Sequence, residues 1–298
     1  MDVHRRSLLK GLAAGLAGAV GVRARAGADS LAAELRQPDG PPRWGVQLYT
    51  VRSQISSDPA GTLKRIAAIG YKELEVMQAT MRVVAPLASR LGLSIVSVHL
   101  DGPTSAGEGL AAFADEAKRH GARYAVVPFV APEERPTDRA GFDALATRFS
   151  RMARTASAAG VQLCYHNHAF EFGRDRDGTT WLDALMRGTS DSGMQLQLDV
   201  FWATVAGADP VALLRRYRGR VASLHLKDKA PTAGTSLAES TVPRTAFVEV
   251  GAGAIDFRAI LAAAREAGVR HYFVEQDYSS GDPVESLEKS YRHLAGLG

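Results

Sequence analysis

Residues 194–228 read MQLQLDVFWATVAGADPVALLRRYRGRVASLHLKD. A short β-rich run, 194–199, ends on Asp199. A helical stretch carrying Arg215, Arg216 and Arg218 follows, and a second β-rich run, 221–226, carries His225 near its end. Strand, helix and strand in one short stretch make a βαβ unit with parallel strands. The same alternation runs outward in both directions. Further strands are expected at 44–50 (WGVQLYT), 72–77 (KELEVM), 94–100 (SIVSVHL) and 123–127 (RYAVV), then at 161–166 (VQLCYH) and 271–275 (HYFVE). Amphipathic helices are expected at 58–69, opened by Asp58-Pro59, at 138–159 from Asp138 to the stop at Gly160, and at 256–267 from Asp256 to Gly268. Gly70, Gly92 and Gly121 also stand where helix-to-strand turns belong. Eight such units in about 250 residues match a (β/α)8 barrel. A doubly wound open sheet is the alternative, but it would carry a glycine-rich phosphate loop after its first strand. Tyr49-Thr50-Val51-Arg52 occupies that place.

The chain has 298 residues, 46% hydrophobic and 23% charged, the balance of a folded globular protein. Its formal charge of +4 comes from residues 1–26, where Arg5, Arg6, Lys10, Arg23 and Arg25 face only Asp2. The rest of the chain is neutral and has no basic face for nucleic acid. Cys164 is the one cysteine, so an intrachain disulfide and a cysteine zinc site are both excluded.

His4 to Lys10 is a basic start, Gly11 to Val22 a short apolar run, and Ala24-Arg25-Ala26 an A-x-A cleavage pattern. Arg5-Arg6 followed by Leu8-Leu9-Lys10 resembles a twin-arginine export signal. The apolar run is too short to span a bilayer. The expected organisation is therefore a signal peptide at 1–26, a linker at 27–43 and a catalytic barrel at 44–298, in a periplasmic protein with no stable membrane insertion after cleavage.

A barrel places its chemistry where strands end and βα loops begin. Those positions hold Glu75, His99, His166-Asn167-His168, Asp199, His225 and Glu275. Imidazole and carboxylate without cysteine suit one divalent ion: Mn2+, Co2+, Fe2+, Mg2+ or Zn2+. Each residue alone could be an ordinary hydrogen-bonded loop residue. Their coincidence at one end of one barrel singles them out. His4, His120, His271 and His293 are read as structural or surface residues. Residues 229–247 interrupt the seventh unit and read as a loop over the site or a surface excursion.

The chain from about 44 to 295 resembles the xylose isomerase-like barrel superfamily, in its sugar phosphate isomerase/epimerase group. The resemblance rests on Gly45 to Arg52, Ile69-Gly70-Tyr71 with Leu74-Glu75, Tyr165-His166-Asn167-His168 with Phe170-Glu171-Phe172, and Leu198 to Trp202. It continues in Leu224 to Asp228, Val250-Gly251-Ala252-Gly253 and Phe273 to Asp277. It implies a divalent metal held by strands five to eight, with Asp199, His225 and Glu275 matching three of the four ligands. Family epimerases carry glutamate at the strand-five position, where this chain has His166. His168 points to the same side of the strand and is the second choice for ligand and first for substrate contact.

The resemblance implies an isomerase or epimerase acting on a sugar or keto-sugar through an enediolate. Histidine in place of one glutamate puts a two-glutamate proton exchange in doubt. The alternative is a lyase or hydratase of 3-keto-glycosides acting by β-elimination. A non-catalytic carbohydrate-binding barrel and a DNA-repair endonuclease are weaker readings. Glu275 is the expected base, with His168, Lys227, Glu171 and His99 as candidate proton donors. Glu75, His99, Glu171 and Trp202 are expected to contact a small carbohydrate. Nucleic acid is not an expected partner, and self-association is left open.

Mature protein recovered after export is expected to begin near Gly27. Replacing Arg5 and Arg6 by lysine should strand the precursor in the cytoplasm, as N-terminal sequencing and cell fractionation would show. Normal export of that variant would refute the twin-arginine reading.

Overall fold

The computed structural model describes residues 42–101 and 109–297. The expected signal peptide, and the linker up to residue 41, lie outside the described residues. Eight parallel strands close into a barrel: β1 (Trp44–Gln47), β2 (Glu73–Met77), β3 (Ser94–His99), β4 (Tyr124–Val127), β5 (Gln162–His166), β6 (Gln195–Asp199), β7 (Val221–Leu226) and β10 (His271–Val274). β1 pairs with both β2 and β10, which closes the ring. A short antiparallel pair, β8 (Asp228–Lys229) and β9 (Phe247–Val248), stands apart from it.

The expected strands and helices are present with small shifts at their ends. The first strand stops early because the Gln47 side chain accepts from the Tyr49 amide (3.1 Å) and turns Leu48–Val51 into a 3-10 helix. Helix Pro59–Ile69 has Asp58 at its N-cap, accepting from Gly61 N at 2.9 Å. Asp138 and Asp256 cap Arg139–Ala158 and Phe257–Ala267 in the same way. Each cap satisfies an amide that the helix itself leaves free. Among the described residues no helix is long and apolar enough to cross a membrane.

The main hydrophobic core lies between the outer faces of the strands and the surrounding helices. The barrel interior holds a much smaller apolar cluster: Val96, Tyr124, Val126, Cys164, Ala222 and Phe273. Gly45 makes room for it, since a Cβ there would come within 2.6 Å of the Phe273 ring. Below that cluster His271 Nδ1 meets Glu73 at 2.7 Å. Above it the interior is polar, and this is the part that builds the site.

Residues 229–247 fold back over the barrel mouth. Arg135 anchors them through Glu239 at 2.8 Å, and Ser236 N donates to Val205 O at 2.8 Å. Asp228 fixes the return of the chain. Its Oδ2 accepts from Gly251 N and Gly253 N, each at 2.9 Å, and its Oδ1 from Lys229 N and Ile255 N. A Cβ on Gly253 would lie 2.2 Å from Asp228 Oδ1 and 2.4 Å from Lys229 O, so the chain comes close only because this residue is glycine. Asp228→Ala strips four amides of their acceptor and is expected to cost about 2–3 kcal/mol. The urea midpoint should fall with the slope unchanged. An unshifted midpoint would show that this clamp carries no stability.

Candidate metal centre and active site

Period-two alternation puts every second residue of a strand inside the barrel. On β6 these are Gln195, Gln197 and Asp199. On β7 they are Ser223 and His225, with Lys227 just beyond the strand. His166 ends β5, and Glu275 directly follows β10. The register sets Asp199 opposite His225 and His166 opposite Gln197. His166, Asp199, His225 and Glu275 each offer a ligand atom, all within 4.8 Å of one another, and all four side chains are buried. His166 rather than His168 enters this group. His168 stands beside it, its ring 5.0 Å from that of His166 and 5.3 Å from that of Trp202.

The layer beneath sets the direction of the imidazoles. Glu75 is fully buried. Its Oε1 faces Gln47 Nε2 at 2.9 Å, His99 Nε2 at 2.8 Å and His225 Nε2 at 2.5 Å. Its Oε2 accepts from Ser97 Oγ, and from Gln197 Nε2 at 2.7 Å. Gln197 Oε1 in turn meets His166 Nδ1 at 3.0 Å and His99 Nε2 at 2.9 Å. With these nitrogens engaged, His166 Nε2 and His225 Nδ1 face Asp199 Oδ2, at 3.8 Å and 4.0 Å. His225 Nδ1 also contacts Glu275 Oε2 at 2.8 Å.

This set fits a divalent ion. Asp199 Oδ1 accepts from Trp202 N at 2.8 Å, while its buried Oδ2 accepts no hydrogen bond and has its charge met by Lys227 Nζ at 3.2 Å, an ammonium shared with two other carboxylates. Buried carboxylates that share one cation leave negative charge that a metal ion would neutralise. The imidazoles are backed by a carboxylate and an amide, as metal-bound histidines commonly are.

The charges are tightly balanced. Lys227 Nζ lies 3.2 Å from Asp199 Oδ2, 2.6 Å from Glu275 Oε2 and 3.1 Å from Asp277 Oδ1. Burial alone would lower the Lys227 pKa, but these three carboxylates hold it well above the usual lysine value. Burial would raise Glu275, and Lys227 with His225 reverses this and keeps it ionised. Burial pushes Asp277 up to about 6 against the pull of Lys227, and it raises Asp199 as well. Burial would lower His225, but Glu75 and Glu275 lift it to about 10. His166 and His168 are held well below the usual imidazole value, first by burial and then by neighbouring cationic groups.

A cavity of about 780 Å³ opens above this floor. His99, His166, His168, Trp202, Lys227 and Glu275 line its depth. Two expected substrate contacts lie elsewhere. Glu75 sits a level below the rim, because β2 runs on to Met77, which lines the cavity instead. Glu171 is fully buried, accepting from Tyr165 OH, and from His168 N at 2.9 Å. Tyr165 alternates with His166 and faces the outer core, so Glu171 lies behind the barrel wall and shapes the His168 loop. Burial raises its carboxyl to about 8. Sequence reasoning missed Gln197, Gln47 and Ser97. The alternation of polar residues in MQLQLD was the available signal. It also missed Asp277, which lines the cavity two residues beyond Glu275.

The family described as the xylose isomerase-like TIM barrel matches residues 63–297. Among curated proteins, an inosose dehydratase from Lacticaseibacillus casei is 28% identical over 162 residues, 51% of this chain and 53% of that protein. The chain thus spans about half the length of the curated relatives it matches. A solved sugar phosphate isomerase/epimerase from Parabacteroides distasonis is 23% identical, with a TM-score of 0.70 over 86% of this chain and 95% of that one. The IolI protein, solved with a bound zinc atom, is 14% identical, with a TM-score of 0.65 over 85% and 98%. At these identities the solved structures establish a shared fold.

Asp199→Ala and His225→Ala are each expected to abolish retention of a divalent ion while leaving the barrel folded. Metal analysis and circular dichroism would check this. Glu75→Gln should weaken metal retention about 10–100-fold without touching a ligand. His168→Ala should spare the metal. Loss of metal in His168→Ala with retention in His166→Ala would reverse the assignment of the two histidines.

Proposed function

The chain belongs to the xylose isomerase-like TIM barrel family, and from that premise we propose a divalent-metal-dependent lyase acting on an uncharged keto-sugar. The observation that carries this is an unequal pair. Of the four residues that fit a metal, only His166 and Glu275 reach the cavity wall. An epimerase that trades a proton across the sugar needs a base on each face. His166 has one ring nitrogen bonded to Gln197 and the other turned toward Asp199, so neither is left for carbon chemistry. Glu275 is then a lone base.

Held by His166, Asp199, His225 and Glu275, a divalent ion would polarise the ketone and stabilise the enediolate charge. The residues of the chain do the rest. The Glu275 carboxylate takes the proton from the carbon beside the ketone, and the C–H electrons move into the enolate. When the carbonyl reforms, the bond from the next carbon to its oxygen substituent breaks and a carbon–carbon double bond is left. His168, in the cavity wall against Trp202, is held neutral by burial and is placed to hydrogen-bond the departing oxygen, which takes up its proton from water. Lys227 keeps its proton and holds Glu275 ionised, so its role is electrostatic. Relatives named inosose dehydratase support elimination. Solved neighbours named sugar phosphate isomerase/epimerase support the isomerase reading, which shares the first proton transfer.

The cavity also argues against a phosphorylated substrate. The two cations that line it, Lys227 and Arg244, are both already engaged. Lys227 is held by three carboxylates, and Arg244 lies over the Tyr278 ring at 4.8 Å. With the export signal read at residues 1–26, we place the reaction in the periplasm.

Proton NMR in D2O with Mn2+ and methyl 3-keto-D-glucopyranoside tests the proposal. The proton beside the ketone should be lost as methanol is released, and Glu275→Gln should slow both by about 10²–10⁴-fold. The 6-phosphate of the same sugar should be the poorer substrate by about tenfold or more. Exchange without methanol would establish an isomerase instead. No exchange would refute both readings.

A further inference from the structure

The cavity, about 780 Å³, is larger than one sugar ring requires, and its upper wall is chemically unlike its floor. Among the described residues six large apolar side chains are exposed, and three of them, Tyr49, Phe129 and Tyr278, line this cavity, each 40% exposed. They come from three separate segments, after β1, β4 and β10. Exposed apolar groups gathered at the mouth of a cavity mark a contact surface.

Two of these rings are braced without being covered. The Arg52 guanidinium lies 4.1 Å from the Tyr49 ring centre, and its own nitrogens donate to Tyr49 O at 2.8 Å and Asp277 O at 3.2 Å. Tyr278 is held between Arg244 at 4.8 Å and the edge of Phe247 at 5.4 Å, and its carbonyl accepts from Gln276 Nε2 at 3.0 Å. Rings fixed in advance lose little freedom when a ligand stacks on them. An aromatic face takes another aromatic ring or the C–H face of a pyranose. The nearby charges are largely matched, Glu239 by Arg135 and Asp277 by Lys227, while Arg52 and Arg244 lie against the Tyr49 and Tyr278 rings, so the rings rather than a charge define this surface.

We propose that Tyr49, Phe129 and Tyr278 form a second subsite, which selects substrates carrying an uncharged ring linked to the sugar on the floor. This rests on the keto-sugar reading and narrows it to two-ring glycosides, with these three residues as determinants of specificity. The linked ring is neutral and is either an aryl ring or a sugar that presents its C–H face.

The test is calorimetric titration of the whole mature protein with Mn2+ present, which does not depend on turnover. The probes are methyl and phenyl D-glucopyranosides in both anomers, with maltose and cellobiose. At least one two-ring probe should bind about tenfold or more tightly than the matching methyl glycoside. That ratio should fall to about 1 in Phe129→Ala/Tyr278→Ala and persist in Tyr278→Phe. Preference for the phenyl glycosides identifies an aryl ring, and preference for a disaccharide identifies a sugar. Equal affinity, no binding by any probe, or a preference that survives the double variant overturns the subsite. If the preference is found but no keto-glycoside is consumed, the lyase reading fails and the subsite stands.

Discussion

A single carboxylate inside the barrel orders the chemistry above it. Glu75 is fully buried, and an ionised carboxylate so placed is tolerable only when donors surround it. The donors come from β1, β3, β6 and β7, so the group ties together strands distant in sequence. Gln197 donates its amide to Glu75 and Ser223, which leaves its carbonyl oxygen to His166 and His99. His166 Nδ1 is thereby the donating nitrogen, and Nε2 carries the free lone pair. His225 gives Nε2 to Glu75 and turns Nδ1 upward. The ring orientations of two candidate ligands thus trace to one group that does not line the cavity.

That dependence explains what could be read from the chain and what could not. Strand order and strand ends follow from local pattern, because Asp caps, glycine stops and β-rich runs act within a few residues of themselves. His166, Asp199, His225 and Glu275 each stand at or next to a strand end, which local pattern marks, but it is the family resemblance that selects them from the other strand-end residues, and barrel closure gathers them. Depth along the axis is another matter. Glu75 looked like a rim residue, but β2 outlasts it by two positions, and the staggered register of the closed barrel decides which residue reaches the rim. Glu171 looked like a loop residue facing the site, but a 3-10 turn at Phe170–Phe172 returns it to Tyr165. Gln197 was silent because an amide inside a strand has no special meaning until a buried carboxylate lies opposite it. Tyr49, Phe129 and Tyr278 come from separate segments, and no spacing in the chain joins them.

The polar interior has a structural cost that the rest of the fold offsets. Barrel interiors are usually filled with branched apolar side chains. Here the interior apolar cluster is small, and the large core lies outside the strands. Stability is therefore concentrated in the helix–strand interface, which leaves the upper interior free for a hydrogen-bonded network. Such a network specifies one geometry only if its members are paired. At its top Asp199 Oδ2, which accepts no hydrogen bond and is paired to Lys227 by charge alone, stands where a further cation fits.

Histidine at position 166 is consistent with the charges around it. Asp199, Glu275 and Asp277 bring three carboxylates to the floor, and Lys227 contacts all of them. A divalent ion would repel that ammonium, yet both can be accommodated if Asp277 serves Lys227 while Asp199 and Glu275 serve the ion. The floor is then close to neutral. A glutamate at 166 would lie near Asp199 in a buried site, where two carboxylates raise each other's pKa and resist joint ionisation. In the proposed reaction it would also set an anion against the developing negative charge of the enediolate. An imidazole supplies a ligand atom without that charge. In the proposed reaction, histidine at 166 would favour enolate formation while leaving no second carboxylate there to return a proton to the opposite face.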